Sequence, residues 1–196
     1  LSQVNFVLGY HIIIDQDFSN SNDLEDREEA IDFINNEVTN FLIELSHEAS
    51  RLEEKKIGSY FHIINDIERI GDHAYNFFES AKKMKEEDLR FSDNARNELS
   101  KMMVLIDEMF DLAKEIFKKP DINKVKKLHS LEDETDKLKT ELSENHYKRI
   151  RENKCNMELS PFYTTLISEF ERVADHLVNI GYAYLNPTGD DEHVSL

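Results

Sequence analysis

The feature that most constrains this fold is an internal repeat. Residues 60–76 align with residues 163–179 at an offset of 103, and seven of the 17 paired positions carry the same residue. Unrelated segments of ordinary composition agree at about one position in fifteen. A weaker match at an offset of 104 pairs Glu28 with Glu132, Asp32 with Asp136, and Glu37 with Glu141. The sequence therefore predicts one unit of about 90–100 residues that is present twice.

Each copy of this unit is predicted to be helical. The 5 glycines and 3 prolines are too few for the turns of a sandwich, a barrel or a βαβ array. Apolar residues recur at helical spacing in six segments, at residues 1–17, 24–54, 60–85, 92–119, 122–153 and 160–186. Short loops between amphipathic helices favour bundles. We therefore predict an all-α fold of two tandem, pseudo-symmetric three-helix bundles at 1–90 and 91–187, followed by an acidic tail at 188–196.

Local signals set the predicted ends of the helices. Gly58 is expected to separate the second helix from the third. Ser92 is a predicted N-cap of the fourth helix, and Asp121 starts the fifth after a proline. Ser160 followed by Pro161 predicts the start of the sixth helix, with the serine hydroxyl accepting a free backbone N–H.

The charge balance excludes some classes of partner. Asp and Glu total 41 against 24 Lys and Arg, for a net charge of −17. No basic stripe is available to neutralise phosphates, so a nucleic-acid partner is not expected, and anionic lipid is disfavoured as well. Cys155 is the single cysteine, which excludes an internal disulfide and favours a reducing, cytosolic environment. The most apolar stretch, residues 6–14, is too short to cross a bilayer.

The repeat preserves charged residues better than apolar ones. The pattern Glu-Arg-x-x-Asp-His occurs at residues 68–73 and again at residues 171–176, while the packing positions between the copies have drifted. If bundle packing alone had been retained, the apolar positions should match better than the charged ones. The pattern therefore indicates a site.

Carboxylates four residues apart dominate that site. Glu68 and Asp72 lie one turn apart on one helix face, where two like charges destabilise a helix by a few tenths of a kcal/mol unless a cation sits between them. The spacing occurs twice in each repeat, in Glu28 with Asp32, Glu68 with Asp72, Glu132 with Asp136, and Glu171 with Asp175. Two such helices face to face would surround one point with four carboxylates, a hard oxygen site suited to Mg, Ca, Mn or Fe.

A second interpretation of these carboxylates stays open. Arg69 and Arg172 are potential ion-pair partners that would fix helix register, and most acidic pairs at this spacing are solvated surface. His73 and His176 lie five residues after each glutamate, turned off its face, and are placed at the edge of the site. The other histidines interpreted as structural because they lack ligand spacing are His47, His62, His129 and His146.

No pattern in the sequence predicts catalysis. Neither a GxxxxGK[ST] loop nor a GxGxxG loop occurs, and no nucleophile has a repeated base beside it. Di-iron oxidases use Glu-x-x-His on two helices, whereas here that spacing occurs only at residues 44–47. We therefore predict a non-enzymatic protein and rank a metal-dependent hydrolase last.

Residues 65–74 and 169–176 resemble the paired signatures of the PhoU family. The resemblance spans residues 1–185 and implies two three-helix bundles whose E/D-x-x-x-D motifs hold multinuclear clusters of Fe, Mn, Zn or Mg. The implied metal ligands are Glu28, Asp32, Glu68, Asp72, Glu132, Asp136, Glu171 and Asp175. Gly71 keeps the glycine usual between the arginine and the aspartate, but Ala174 replaces it in the second copy.

Two further stretches resemble a narrower group. Residues 30–38 and 153–156 are similar to the PhoU-like C-terminal domain of bacterial sodium/phosphate cotransporters. This resemblance implies a regulatory domain of phosphate uptake at the cytoplasmic side of the cell membrane, tethered to a membrane transporter domain upstream of Leu1. The alternative is a free-standing PhoU regulator acting on a separate transporter or kinase. Homodimer formation is left open.

Overall fold

The computed structural model describes residues 1–188. The six α-helices are α1 (Ser2–Asp15), α2 (Ser21–Ser46), α3 (Arg51–Glu86), α4 (Asp93–Lys118), α5 (Ile122–Arg151) and α6 (Ser160–Leu185), and a short 3₁₀ helix, Met157–Leu159, precedes α6. No strand occurs among the described residues, and the all-α prediction is confirmed.

The helices form two groups of three that meet along α3 and α6. Helices α1 and α2 pack on α3, helices α4 and α5 pack on α6, and α3 packs on α6. The buried apolar side chains of both groups form one continuous core, in which the rings of Phe6 on α1 and Phe170 on α6 lie 5.6 Å apart. The two predicted three-helix bundles are confirmed. Their division into domains at residue 90 stays a prediction, and the predicted tail at 188–196 lies, except for Thr188, outside the described residues.

The prediction that Gly58 breaks the chain between two helices was wrong. Gly58 lies inside α3, and the chain turns instead at residues 47–50. Ser50 forms a capping box, in which its backbone N–H donates to Glu53 Oε2 at 2.8 Å. A glycine inside a helix costs only about 1 kcal/mol relative to alanine. The capping box and the packing of α3 therefore decide where the helix begins.

Helices α4, α5 and α6 begin at the predicted signals, Ser92, Asp121 and Ser160, but the predicted cap by the Ser160 hydroxyl is wrong. The Ser92 hydroxyl accepts the Ala95 N–H at 3.4 Å, and Asp121 accepts the Asn123 N–H at 2.9 Å. Ser160 does not cap α6, because it is the first residue of that helix and its hydroxyl lies 2.9 Å from His146 Nε2. Within residues 1–188, none of the helices has both the length and the apolar character that a membrane span requires.

Candidate metal centres

The packing of α2 on α3 brings the first four predicted carboxylates together. The pKa of Glu28 is raised by burial first and then by the charges of Asp32 and Asp72. Burial and the charge of Asp72 raise the pKa of Glu68. Burial also raises the pKa of Asp72, which Asp32 raises further and Arg69 opposes. Charges on both helices therefore act on one another, and we call Glu28, Asp32, Glu68 and Asp72 the first quartet.

The second quartet, Glu132, Asp136, Glu171 and Asp175, lies between α5 and α6. Burial raises the pKa of Glu132, and the charges of Asp136 and Asp175 raise it further. Burial, Glu171 and Asp136 raise the pKa of Asp175 in the same way. In both repeats, therefore, carboxylates on two neighbouring helices raise one another's pKa.

The cations around the two quartets differ. In the first, the exposed Arg69 places its guanidinium 3.9 Å from Glu68 Oε2 and 3.5 Å from Asp72 Oδ2. In the second, Lys139 Nζ lies 2.9 Å from Glu171 Oε2. At the offset of 104, the position of Lys139 corresponds to Asn35, so the first quartet has no matching lysine. The cation beside the first quartet is therefore an arginine near two carboxylates, and the cation beside the second is a lysine near one.

His129 and Asp133 lie beside one member of the second quartet, Glu132. His129 Nδ1 lies 3.0 Å from Glu132 Oε2 but without hydrogen-bond geometry. Ligand atoms of His129, Glu132 and Asp133 lie within 4.8 Å of one another, and no other trio of such residues in the described part of the chain does so. His129 was predicted to be structural, although its i, i+3 spacing to Glu132 on one helix face could have indicated a ligand.

The repeated histidines have carboxylate partners that the sequence analysis missed. His73 Nδ1 on α3 pairs with Glu169 Oε2 on α6, and His176 Nδ1 on α6 lies 2.8 Å from Asp66 Oδ1 on α3. The two rings are 5.3 Å apart. The offset of 103 relates the two pairs to each other, so they are reciprocal contacts across the α3–α6 interface. In the alignment of the two repeats, Asp66 corresponds to Glu169. This match of two acidic residues could have indicated that both have a role.

Arg172 also differs from its expected role. Its guanidinium lies 3.6 Å from Glu169 Oε1, the buried partner of His73. Arg69, its counterpart, contacts Glu68 and Asp72 instead. The two arginines were expected to fix helix register through equivalent ion pairs. Their contacts differ instead, because Arg69 lies near Glu68 and Asp72 whereas Arg172 lies near Glu169.

The carboxylate chemistry of both quartets suits a hard cation, although within residues 1–188 no three ligand atoms of either quartet lie within 4.8 Å of one another. Neighbouring carboxylates with raised pKa values are relieved either by a proton or by a bound cation, and carboxylate oxygens are the ligands that Mg, Ca and Mn prefer. A metal bound there would supply positive charge between helices that otherwise repel. Its presence at these eight residues stays a prediction.

Comparison with known proteins assigns the fold to a family. A model of the PhoU domain family matches residues 3–81 and 99–183, one segment in each repeat. The chain belongs to the PhoU domain family. The crystal structure of PhoU from Pseudomonas aeruginosa superposes with a TM-score of 0.84 at 16% identity, covering 96% of this chain and 90% of that one. The predicted family is thereby confirmed.

A curated relative comes from Thermotoga maritima. It is named phosphate-specific transport system accessory protein PhoU homolog 1, and it is 29% identical over 116 residues. The match covers 59% of this chain and 49% of the relative, so the chain spans about half the length of the relative it matches.

Proposed function

We propose that this PhoU-family chain is a non-enzymatic regulator of phosphate transport that binds metal cations on its two carboxylate quartets. The observation that carries the proposal is the duplication of the quartet at equivalent places of the two repeats. Family membership and the relative's name, an accessory protein of a phosphate-specific transport system, support the phosphate role. They favour action on a separate transporter or kinase.

The narrower alternative is a domain fused to a sodium/phosphate transporter at the cytoplasmic face of the membrane. It rests on the resemblance of residues 30–38 and 153–156 to such domains. The reading frame upstream of Leu1 tests it, because membrane-spanning segments there would support fusion. The regulatory role itself does not depend on which arrangement holds.

Phosphate uptake tests the regulatory role. In cells from which the gene has been deleted, we expect uptake of radiolabelled phosphate to continue after phosphate becomes abundant. The full-length gene should restore the decrease, and a gene encoding both Glu68→Gln and Asp72→Asn should restore it less well. If deletion leaves uptake unchanged at every phosphate concentration, the proposed function is wrong.

The metal role predicts the behaviour of the double variant Glu68→Gln with Asp72→Asn. Bound metal stabilises the folded state by mass action, so Tm should rise with free Mn²⁺ in the wild type. In the variant, Tm should rise less with Mn²⁺, because the first quartet no longer binds the metal. With chelator it should melt at or above the wild type, because two repelling charges are gone. Thermal melts with Mn²⁺ and with chelator measure both effects.

The matched control removes two charges elsewhere on the first repeat. Glu37→Gln with Glu44→Gln changes exposed carboxylates of α2 outside the quartet and should leave the rise in Tm intact. Equal destabilisation of the Glu68 and Asp72 variant with and without metal would show that these residues form a salt-bridge network with Arg69 instead.

The pH dependence of the same melts has a defined sign. A carboxyl whose pKa is raised on folding takes up its proton more readily when folded, so stability falls as pH rises through the folded pKa. In chelator the quartets should therefore destabilise the fold toward neutral pH. Because metal ligands must be deprotonated, the gain from Mn²⁺ should instead fade as pH drops through the same range.

A further inference from the structure

One side of α5 brings together an imidazole and two carboxylates. His129, Glu132 and Asp133 are spaced i, i+3 and i+4, so their side chains leave the helix on one face. Their ligand atoms lie within 4.8 Å of one another, and residues 1–188 contain no second group of three that does so. We call these three residues the imidazole trio. It shares Glu132 with the second quartet, whereas His129 and Asp133 lie outside both quartets.

The contact between His129 and Glu132 is not a hydrogen bond. The Nδ1 atom of His129 is shielded from solvent, has no hydrogen-bond partner, and lies 3.0 Å from Glu132 Oε2. A hydrogen bond would direct an N–H at the oxygen, and this contact lacks that geometry. Two ligand atoms that are each about 2.1 Å from one Zn²⁺ lie about 3–3.5 Å apart. The short distance and the missing hydrogen bond therefore agree with two ligands of a shared ion.

Asp133 adds a second oxygen from the solvent side of the trio. Its side chain is exposed, so rotation about its side-chain bonds can bring the carboxylate closer to the other two ligand atoms. Zinc sites with three protein ligands take a water molecule at the fourth position. The trio therefore offers one nitrogen and two oxygens, and solvent can complete the coordination.

The charges around Glu132 favour a cation at this place. Burial raises the pKa of Glu132 first, and the charges of Asp136, Asp175 and Asp133 raise it further, while His129 opposes them. The negative potential of three further carboxylates therefore acts at Glu132. A divalent cation bound beside it would relieve that potential.

The first repeat has a different arrangement at the equivalent place. At the offset of 104, His129 corresponds to Glu25, whose Oε1 lies 3.7 Å from Lys82 Nζ of α3. At the offset of 103, Lys82 corresponds to Leu185 of α6. The second repeat thus has an imidazole where the first has a carboxylate, and a leucine where the first has the lysine that pairs with it. The donor set of the trio is therefore particular to the second repeat.

We propose that the imidazole trio binds a divalent transition cation, represented by Zn²⁺, and that His129 Nδ1 is one of its ligands. Imidazole nitrogen suits Zn, Ni and Fe, whereas oxygen ligands alone suit Mg, Ca and Mn. The preference for Zn²⁺ over Mn²⁺ should therefore be larger in the second repeat than in the first. The inference deepens the proposed metal role and rests on it through Glu132, which the second quartet and the trio share.

Nitrogen NMR of the histidine imidazoles tests the proposal on the whole chain titrated with Zn²⁺. The signals of His129 are identified by their loss in His129→Ala. We expect the Nδ1 resonance of His129 to shift saturably with Zn²⁺ and to stay in place at the same concentration of Mg²⁺. Asp133→Asn should raise the Zn²⁺ concentration at half-saturation about tenfold or more, because loss of even an outer-shell partner weakens metal binding about 10–100-fold. The matched control is Glu29→Gln, which changes the equivalent carboxylate of the first repeat and should leave the titration unchanged.

The number of bound ions separates a ligand from a structural histidine. In equilibrium dialysis, His129→Ala should bind one Zn²⁺ fewer than the wild type, while its Tm in chelator should stay that of the wild type. A structural role would give the opposite result, with a lower Tm in chelator and an unchanged number of Zn²⁺ ions, and would overturn the proposal.

Three results of the NMR titration would also overturn it. The first is a His129 Nδ1 resonance that does not respond to Zn²⁺, or that responds equally to Mg²⁺. The second is the same half-saturation in the wild type and in Asp133→Asn. The third is a shift of Nε2 without one of Nδ1, which would place the ion on the other side of the ring. The proposed function fails separately, because its tests vary Glu68 and Asp72 and involve neither His129 nor Asp133.

Discussion

Replacing Glu169 with alanine is expected to lower the free energy of unfolding by about 3–5 kcal/mol. Glu169 and His73 are both buried at the α3–α6 interface, where they pair with each other. The substitution leaves the buried histidine without its carboxylate partner. The guanidinium of Arg172 and the amide of Asn76 lose the same partner. The loss therefore reflects an uncompensated buried polar group rather than a small cavity.

The reciprocal pair provides the matched control. Asp66 and His176 occupy the equivalent positions but are more accessible to solvent, which can replace the lost contact. We expect Asp66→Ala to cost about 1–2 kcal/mol, clearly less than Glu169→Ala. Urea unfolding followed by circular dichroism measures both variants. Equal losses would mean that burial does not set the strength of these contacts.

The pH dependence separates the Glu169 contact from the quartets. Burial tends to raise the pKa of Glu169, but the hydrogen bonds from His73 and Asn76 and the charges of His73 and Arg172 together lower it below its ordinary value. A lowered carboxyl pKa gives stability that is present above the ordinary range and is lost as pH falls through the folded pKa. The gap between wild type and Glu169→Ala should therefore persist at mildly acidic pH.

The helices and the quartets could be predicted because both depend on spacing along one chain. A period near 3.6 identifies amphipathic helices, and two carboxylates four positions apart must share a face wherever the helix packs. The repeat then indicates which helices correspond. The charges of the predicted carboxylates accordingly act on one another across α2 and α3 and across α5 and α6, while metal binding by these residues stays a prediction.

The contacts across the α3–α6 interface depend on how the helices cross, and spacing along the chain does not determine that. His73 was placed at the edge of a metal site because it lies five residues after Glu68 and off its face, but its ring faces Glu169 of the other repeat. Lys139 was missed because it occupies a position where the first repeat has Asn35, so comparing the repeats hid it. Residues that differ between the repeats, such as Lys139 and Asn35, therefore give the two predicted metal sites different surroundings.

Compensating changes explain one departure from the family pattern. A Cβ atom added to Gly71 would lie 3.2 Å from Ile31 Cδ1 across the α2–α3 contact. In the second repeat the equivalent residues are Ala174 and Thr135, and both are fully buried. A smaller side chain on α5 thus accompanies the added methyl group on α6. The apolar positions drifted in sequence while the volume at the helix contact was retained.

Replacing Gly9 with valine is expected to lower the free energy of unfolding by about 3 kcal/mol, at the upper end for overpacked core positions. A Cβ atom at this position would lie 2.6 Å from the carbonyl oxygen of Ala74. That oxygen belongs to the backbone of α3, so no side-chain rotation relieves the clash and α1 has to move away from α3. The movement would separate Phe6 from Phe77, whose rings are 5.0 Å apart in the core. Urea unfolding measures the loss.

The control for Gly9 is Gly58→Ala, because Gly58 is also helical but nothing lies within 4 Å of its added Cβ. This change should stabilise the protein by about 0.5–1 kcal/mol, since alanine loses less backbone entropy in a helix. Opposite signs at the two glycines would show that close approach of α1 to α3, rather than helix propensity, makes Gly9 necessary. If Gly9→Val unfolds at the urea concentration of the wild type, then α1 does not approach α3 this closely.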